Sequence, residues 1–231
     1  MLVEGARAVA EALAGGAAVS FVVTSPKLLA SDAGAALAAR LEGLDVDRVG
    51  DDELADLADT ENPQGILLVC KEPGAGLERV REGGRYLVLD GVQDPGNAGT
   101  LLRAAVAFGL DGVVPLDGTV DPWAAKTVRA SAGMVFRLPV IAGSAQDVVA
   151  RLGAAGVPIL VADARGEDVE RLSGTASFAL VVGNEGAGVR SDLRRAARSV
   201  VAVPMAGPAE SLNVGMAGSI LLYTLTRGMT D

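Results

Sequence analysis

The stretch Leu87-Val88-Leu89-Asp90-Gly91-Val92-Gln93-Asp94-Pro95-Gly96-Asn97-Ala98-Gly99-Thr100 decides how this chain folds. It runs from a short apolar segment through a turn marked by glycine and proline into a helical pattern. Apolar strands of this kind, separated by helices, build a parallel sheet covered on both faces. Further strands are expected at residues 86–89, 112–114, 157–162, 178–182 and 199–203. Helices are expected between them at residues 98–108, 122–130, 145–154 and 190–197, with a last one over 212–226.

Two more segments repeat the design of a buried strand followed at once by polar and glycine-rich residues, the position where open α/β sheets bind ligands. Ala179-Leu180-Val181-Val182 is followed by Gly183-Asn184-Glu185-Gly186-Ala187-Gly188, and Val201-Ala202-Val203-Pro204-Met205 leads into Gly207-Pro208-Ala209-Glu210-Ser211-Leu212-Asn213-Val214-Gly215-Met216-Ala217. In the first segment, Asn97 at the helix start either caps free backbone N–H groups or serves a ligand. Arg103 lies six residues on among Leu101, Leu102, Ala104 and Ala105, and is expected to face inward with a task such as gripping a phosphate. In the second, glycines let backbone approach a ligand closely, and Glu185 is expected to be held in a hydrogen-bond network. Gly186-x-Gly188 opens like a dinucleotide fingerprint, but Ser191 occupies the third glycine position, which disfavours a nucleotide-dependent oxidoreductase. In the third, Ser211 reads as the N-cap of the last helix, and Asn213 is a polar residue in the first turn of an otherwise apolar one.

Composition narrows the chemistry. The chain has no histidine, which removes the usual general base, the commonest metal ligand and every Ser-His-Asp or Cys-His mechanism. Its single cysteine, Cys70, sits in an apolar run and reads as a core residue without the partners a thiol metal site needs, so no metal is expected. The N-terminus carries no basic stretch leading into an apolar one, and no segment reaches membrane-spanning length; a cytosolic protein without membrane association is expected. The net charge of −9 is unevenly spread: residues 1–84 hold 7 Lys+Arg against 15 Asp+Glu, and residues 85–231 hold 13 against 14. The second part can therefore offer a local positive face from Arg103, Lys126, Arg129, Arg137, Arg190, Arg194, Arg195 and Arg198.

The first 70 residues alternate helical and extended signals: helices near residues 4–14, after Ser25-Pro26 and near 51–58, with strands at 19–24 and 65–70. They form a small α/β domain. Residues 71–84 mix glycine, proline and charge with poor periodicity and read as a linker, leaving 85–231 as the larger domain.

Taken together, the three motif segments resemble those of the SpoU/TrmH branch of the SPOUT methyltransferase superfamily, in the same order and over essentially all of residues 85–231. The resemblance implies a deep trefoil knot in the C-terminal parallel-sheet domain, a rare exception to the rule that chains do not knot. Residues 1–70 are similar in element order to the ribosomal-protein-like substrate-binding domain of that family, with Gly5, Ala8, Val9 and Ala12 in the opening helix; the family version is basic, this one acidic.

The same resemblance implies S-adenosylmethionine-dependent methylation of a ribose 2′-hydroxyl in RNA, ribosomal RNA favoured over transfer RNA, by a homodimer. By that likeness Gly183, Val203, Met205 and Leu212 contact the cofactor, and Asn97, Arg103, Glu185, Ser211 and Asn213 occupy the active site. Arg103 would grip the target phosphate and stabilise developing alkoxide, since a free guanidinium is a very poor base. Asn97 would orient Arg103 or the ribose, Ser211 and Asn213 would hold the nucleotide or cofactor edge, and Glu185 would fix its loop. The last helix, with Met216, Ile220, Leu221 and Leu222, offers either a dimer face or ordinary core. The alternative is a non-catalytic RNA-binding or ribosome-assembly protein that retains the fold.

Overall fold

The computed structural model describes residues 1–228 and contains two sheets. The second sheet follows the reading of the parallel strands. Its five strands are β5 (Arg85–Asp90), β6 (Gly112–Pro115), β7 (Ile159–Asp168), β8 (Phe178–Gly183) and β9 (Ser199–Ala202), all paired in parallel in the order β6-β5-β8-β7-β9. All six residues of β8 are buried, as expected for a strand covered on both faces.

The helices of this unit begin and end where short polar side chains and glycines allow. Helix α4 (Pro95–Ala107) is capped by Asp94, whose carboxylate accepts the Asn97 backbone N–H at 2.7 Å, and Pro95 supplies a first-turn φ at no hydrogen-bond cost. Asn97 is therefore inside the first turn rather than at the cap. Helix α8 (Val214–Thr226) starts two residues later than expected and is capped by Asn213, not Ser211. Asparagine and serine compete for this role, and here the chain turns helical only after Asn213. Gly218 lets α8 lie against α4, because a Cβ there would come within 2.3 Å of the Leu101 side chain. The remaining helices are α5 (Ala125–Ala130), α6 (Ala145–Ala154) and α7 (Ser191–Ala196).

One crossing in this sheet is unusually close. Both Ala162 and Glu167 of β7 pair with Val201 of β9, so the register shifts there and residues 163–166 form an excursion opposite that one residue. A Cβ on Gly166 would stand 2.5 Å from the Val201 carbonyl carbon, so only glycine permits the passage.

The first sheet holds β1 (Leu2–Glu4), β2 (Val19–Thr24), β3 (Val46–Arg48) and β4 (Ile66–Cys70) in the mixed order β1-β4-β2-β3, with helices α1 (Ala6–Ala14), α2 (Asp32–Ala39) and α3 (Asp51–Leu57). Strands β1 and β3 are three residues each, too short to show a period of two in the sequence, and β1 takes Glu4, the first residue of the expected opening helix. The helix after Ser25-Pro26 is two pieces, a 3₁₀ turn over Pro26–Ala30 and then α2 capped by Ser31.

The two units share one buried cluster, in which Val3, Ala8 and Val9 join Leu101, Val135 and Phe136. Their seam is closed by small residues and ion pairs. A Cβ on Gly15 would meet the Phe136 carbonyl at 2.3 Å, and Glu4 and Glu11 face Arg129 and Arg137 at 3.5 and 3.7 Å. The segment 71–84 is also tied down: it contains a 3₁₀ turn over Leu77–Arg79, Val80 is fully buried, and the Arg151 guanidinium donates to the carbonyls of Leu77 and Val80. Burial pushes the Cys70 thiol up, in keeping with a core position. Among the described residues no helix is long and apolar enough to cross a membrane, and no cluster of His, Cys, Asp or Glu is arranged to hold a metal ion.

Candidate active site

The three glycine-rich segments meet at the carboxyl ends of β5, β8 and β9, because the strands of one parallel sheet deliver their following loops to the same edge. A hydrogen-bonded chain of side chains joins them. The Asn213 amide nitrogen donates to Asn97 Oδ1 at 2.9 Å, and the Asn97 amide nitrogen donates to Glu185 Oε1 at 2.7 Å. The direction of the chain is fixed at its origin. Asn213 Oδ1 already accepts the Met216 N–H at 3.1 Å, so only its nitrogen is left to face Asn97. Asn97 must then turn its own nitrogen to the Glu185 carboxylate. Three residues separated by 88 and 116 positions in the chain thus form one polarised unit.

Beside this unit lies an open cavity of about 620 Å³, within the range of roughly 300–1,000 Å³ usual for small-molecule sites. Gly183, Val203, Met205 and Leu212 all line it, together with Glu185, Ser211 and Asn213. Its wall is largely backbone from residues 183–188 and apolar side chains such as Val182, Val214 and Leu221. Such a wall suits a flat heterocycle read by main-chain groups more than a highly charged ligand.

Arg103 departs from its expected place. It is exposed on α4, not inward-facing, because Leu101, Leu102, Ala104 and Ala105 take the core positions and the helical period leaves 103 on the outer side. Its side chain makes no hydrogen bond or ion pair with any other described residue and does not line the cavity, so its guanidinium is free for a ligand. The local positive face is also smaller than the charge count suggests, since Arg129, Arg137, Arg190 and Arg194 are in ion pairs with carboxylates of the chain.

Several supporting residues escaped the sequence reading. Asp163 and Arg194 form an ion pair at one end of the cavity. The backbone N–H of Arg165, and then the Arg194 guanidinium, hold the Asp163 carboxyl below the usual carboxylate range. The pair spans 31 positions, and nothing in either local pattern announces the other. Buried Asp90, 4% exposed, accepts the backbone N–H and the guanidinium of Arg190 at 2.7 and 2.6 Å, which ties the end of β5 to the segment after the glycine loop. Asp90 stands in the stretch that decides the fold, so position and charge were visible, but its partner was not.

Comparison with known proteins gives the same picture. Residues 84–223 match the model of the SpoU rRNA Methylase family, and residues 2–74 match the model for RNA 2′-O ribose methyltransferase substrate binding. The chain is 41% identical over 184 residues to the 23S rRNA (guanosine(2553)-2′-O)-methyltransferase RlmP of Bacillus subtilis (strain 168), covering 79% of this chain and 73% of that protein. It is 35% identical over 176 residues to the 23S rRNA (uridine(2479)-2′-O)-methyltransferase of Streptomyces viridochromogenes, a match that covers 72% of this chain and 61% of that protein, less than two thirds of its length. Among solved structures it is similar to the AdoMet-bound rRNA methyltransferase from Sinorhizobium meliloti, with TM-score 0.84 and 30% identity over 100% of this chain and 88% of that one. It is also similar to AviRb from Streptomyces viridochromogenes in complex with AdoMet, with TM-score 0.85 and 29% identity over 98% and 89% of the two chains.

Proposed function

The chain belongs to the SpoU rRNA methylase family, and we propose that it transfers a methyl group from S-adenosylmethionine to a ribose 2′-hydroxyl of ribosomal RNA. The observation that carries this reading is the Asn213-Asn97-Glu185 chain set against a glycine-walled, apolar cavity. The relatives acting on 23S rRNA favour ribosomal over transfer RNA. The proposed division is a substrate-binding domain over residues 1–70, a linker over 71–84 and a methyltransferase domain over 85–231.

The cavity fits the cofactor. Gly183, Val203, Met205 and Leu212 offer backbone and apolar surface to an adenosine, and no side chain other than Glu185 and the Asp163–Arg194–Arg165 end brings charge into it. When bound there, the cofactor supplies an electrophilic methyl group. The protein's part is placement: holding a hydroxyl in line for attack supplies several kcal/mol of the barrier, on the order of 7–11 at best, through lost freedom of the reactants. Asn97 and Asn213 hold the nucleotide edge, and Glu185 holds the cluster in register by accepting from Asn97. Ser211, at the cavity wall and free of capping duty, presents its hydroxyl to the ribose or the cofactor edge. Arg103, unpaired on the outer face of α4, grips the target phosphate and stabilises alkoxide charge as it develops. A guanidinium is a very poor base, and phosphate or water takes the proton.

The chain works as a homodimer whose contact includes α8. Met216, Ile220 and Tyr223 recur at helical spacing and are 54%, 37% and 53% exposed, whereas Leu221 and Leu222 are core. The fold is a trefoil knot in which the C-terminal segment threads a loop; the close approach of Gly166 to Val201 supports it. Calorimetry and light scattering on one sample test the reading: S-adenosylmethionine should bind, NAD should not, and the mass should be twice the 23.3 kDa of the chain. A monomer that binds neither would overturn it.

A further inference from the structure

Glu185 sits at the tip of a very small loop, and the loop is built around Asn184. The backbones of Asn184 and Gly188 exchange hydrogen bonds at 3.2 and 2.9 Å, which closes five residues into a ring. Inside it, Asn184 Oδ1 accepts the N–H groups of both Gly186 and Ala187 at 2.9 Å. Outside it, the Asn184 amide nitrogen donates to the Gly91 carbonyl at 2.9 Å, across 93 residues of sequence. The orientation of this amide is unambiguous: turned over, it would put its NH₂ against two N–H groups and its oxygen against a carbonyl. Both flanking residues are glycine for steric reasons. A Cβ on Gly183 would lie 2.4 Å from the Gly188 carbonyl carbon, and Gly188 has φ +69°.

Gly91 begins the turn that leads from β5 into α4, the helix that carries Asn97. The Asn184–Gly91 bond therefore links the base of the Glu185 loop to the base of the Asn97 helix, and the Arg190–Asp90 pair makes a second link, from the residue before Gly91 to a residue just past the loop. We propose that Asn184 is the positioning residue of the reactive cluster: through its bond to Gly91 it sets the Asn97–Glu185 contact at 2.7 Å without touching substrate itself. The proposal deepens the methyl-transfer reading and rests on it for its kinetic consequence only.

Aspartate in place of Asn184 isolates the bond. Asn184→Asp keeps an oxygen to accept from Gly186 and Ala187, so the loop retains its internal ring. It replaces the donor to Gly91 with an ionised oxygen that repels the carbonyl.

Two readouts separate the proposal from the reading it rests on. The first is nuclear magnetic resonance of the side-chain amides of the intact protein. At neutral pH the Asn97 amide signal in Asn184→Asp should move toward its position in Glu185→Gln; an unmoved Asn97 signal overturns the proposal whether or not the protein methylates RNA. The second is turnover. Methyl transfer to unmodified ribosomal RNA should drop about tenfold to a hundredfold in kcat, as expected for losing one half-buried hydrogen bond and gaining a repulsion. The affinity for S-adenosylmethionine should fall less than kcat does, because Asn184 borders the cavity while its side-chain amide is engaged by the Gly186 and Ala187 N–H groups and the Gly91 carbonyl. Equal losses in kcat, cofactor affinity and thermal midpoint, with the Asn97 amide signal unmoved, would instead mark Asn184 as a merely structural residue. Failure of the unaltered protein to transfer methyl would count against the reading and leave the amide test to decide the proposal.

Discussion

The two sheets of this molecule use their loops differently. In the C-terminal sheet every strand runs the same way, so the segments after β5, β8 and β9 collect at one edge and their polar residues meet. In the N-terminal sheet β4 runs against both β1 and β2, and its loops are dealt to both edges. That sheet instead spends its polar residues on the seam with its neighbour and on solvent. Charge follows the same division: 7 cationic against 15 anionic residues over 1–84, and 13 against 14 over 85–231. A surface so acidic cannot draw RNA by its field, because phosphate binding depends on cationic side chains. The contrast teaches that strand direction, more than composition, locates chemistry in this chain.

The sharpest way to break this comparison is to remove one residue from each side. Arg103→Ala should lower methyl transfer by about a thousandfold or more, in line with losing a principal charge-stabilising group, while cofactor affinity measured by calorimetry stays within error. Turnover unchanged in that variant would take Arg103 out of the site. On the other side, Glu4→Ala cuts the buried seam, where Glu4 meets Arg129 and the Thr60 hydroxyl. Chemical denaturation should show a loss of about 2–3 kcal/mol, with kcat reduced less than about threefold. A large fall in kcat at full stability would mean that the first sheet takes part in the chemistry.

A smaller effect sharpens the account at the cavity. Asp163 has its carboxyl held low by the Arg165 N–H and by Arg194, so the ionised form is favoured in the folded state. The stabilisation it gives is present above the unfolded carboxylate value of about 3.9 and is lost as pH falls through the lower folded value. Asp163→Asn should therefore be less stable than the parent near neutrality, by about 0.5–1 kcal/mol for a partly exposed pair, and the difference should close below about pH 4. Parallel pH profiles for the two proteins would show that the ion pair contributes nothing.

Much of the second sheet was legible because its strands are continuous apolar runs and its site residues follow them directly. Gly183, Val203, Met205 and Leu212 reach one cavity wall, and Asn97, Glu185 and Asn213 reach one hydrogen-bonded chain, as the three segments suggested. The errors came from residues whose role depends on the phase of a helix. Arg103 was expected inside because its neighbours are apolar, yet those neighbours take the buried side of α4 and leave it outside. Ser211 was expected to cap a helix that Asn213 caps, since both types serve equally well and only the backbone path decides. Strands β1 and β3 were invisible at three residues, and the pairs Asp163–Arg194 and Asp90–Arg190 join residues that no local pattern connects.

The most direct measurement is transfer of labelled methyl from S-adenosylmethionine to total ribosomal and transfer RNA from a host lacking the modification, followed by digestion to nucleosides. The account predicts a 2′-O-methylated nucleoside in the ribosomal pool and none in the transfer RNA pool. Label confined to transfer RNA, label on a base, or no label in either pool with the cofactor bound would contradict it.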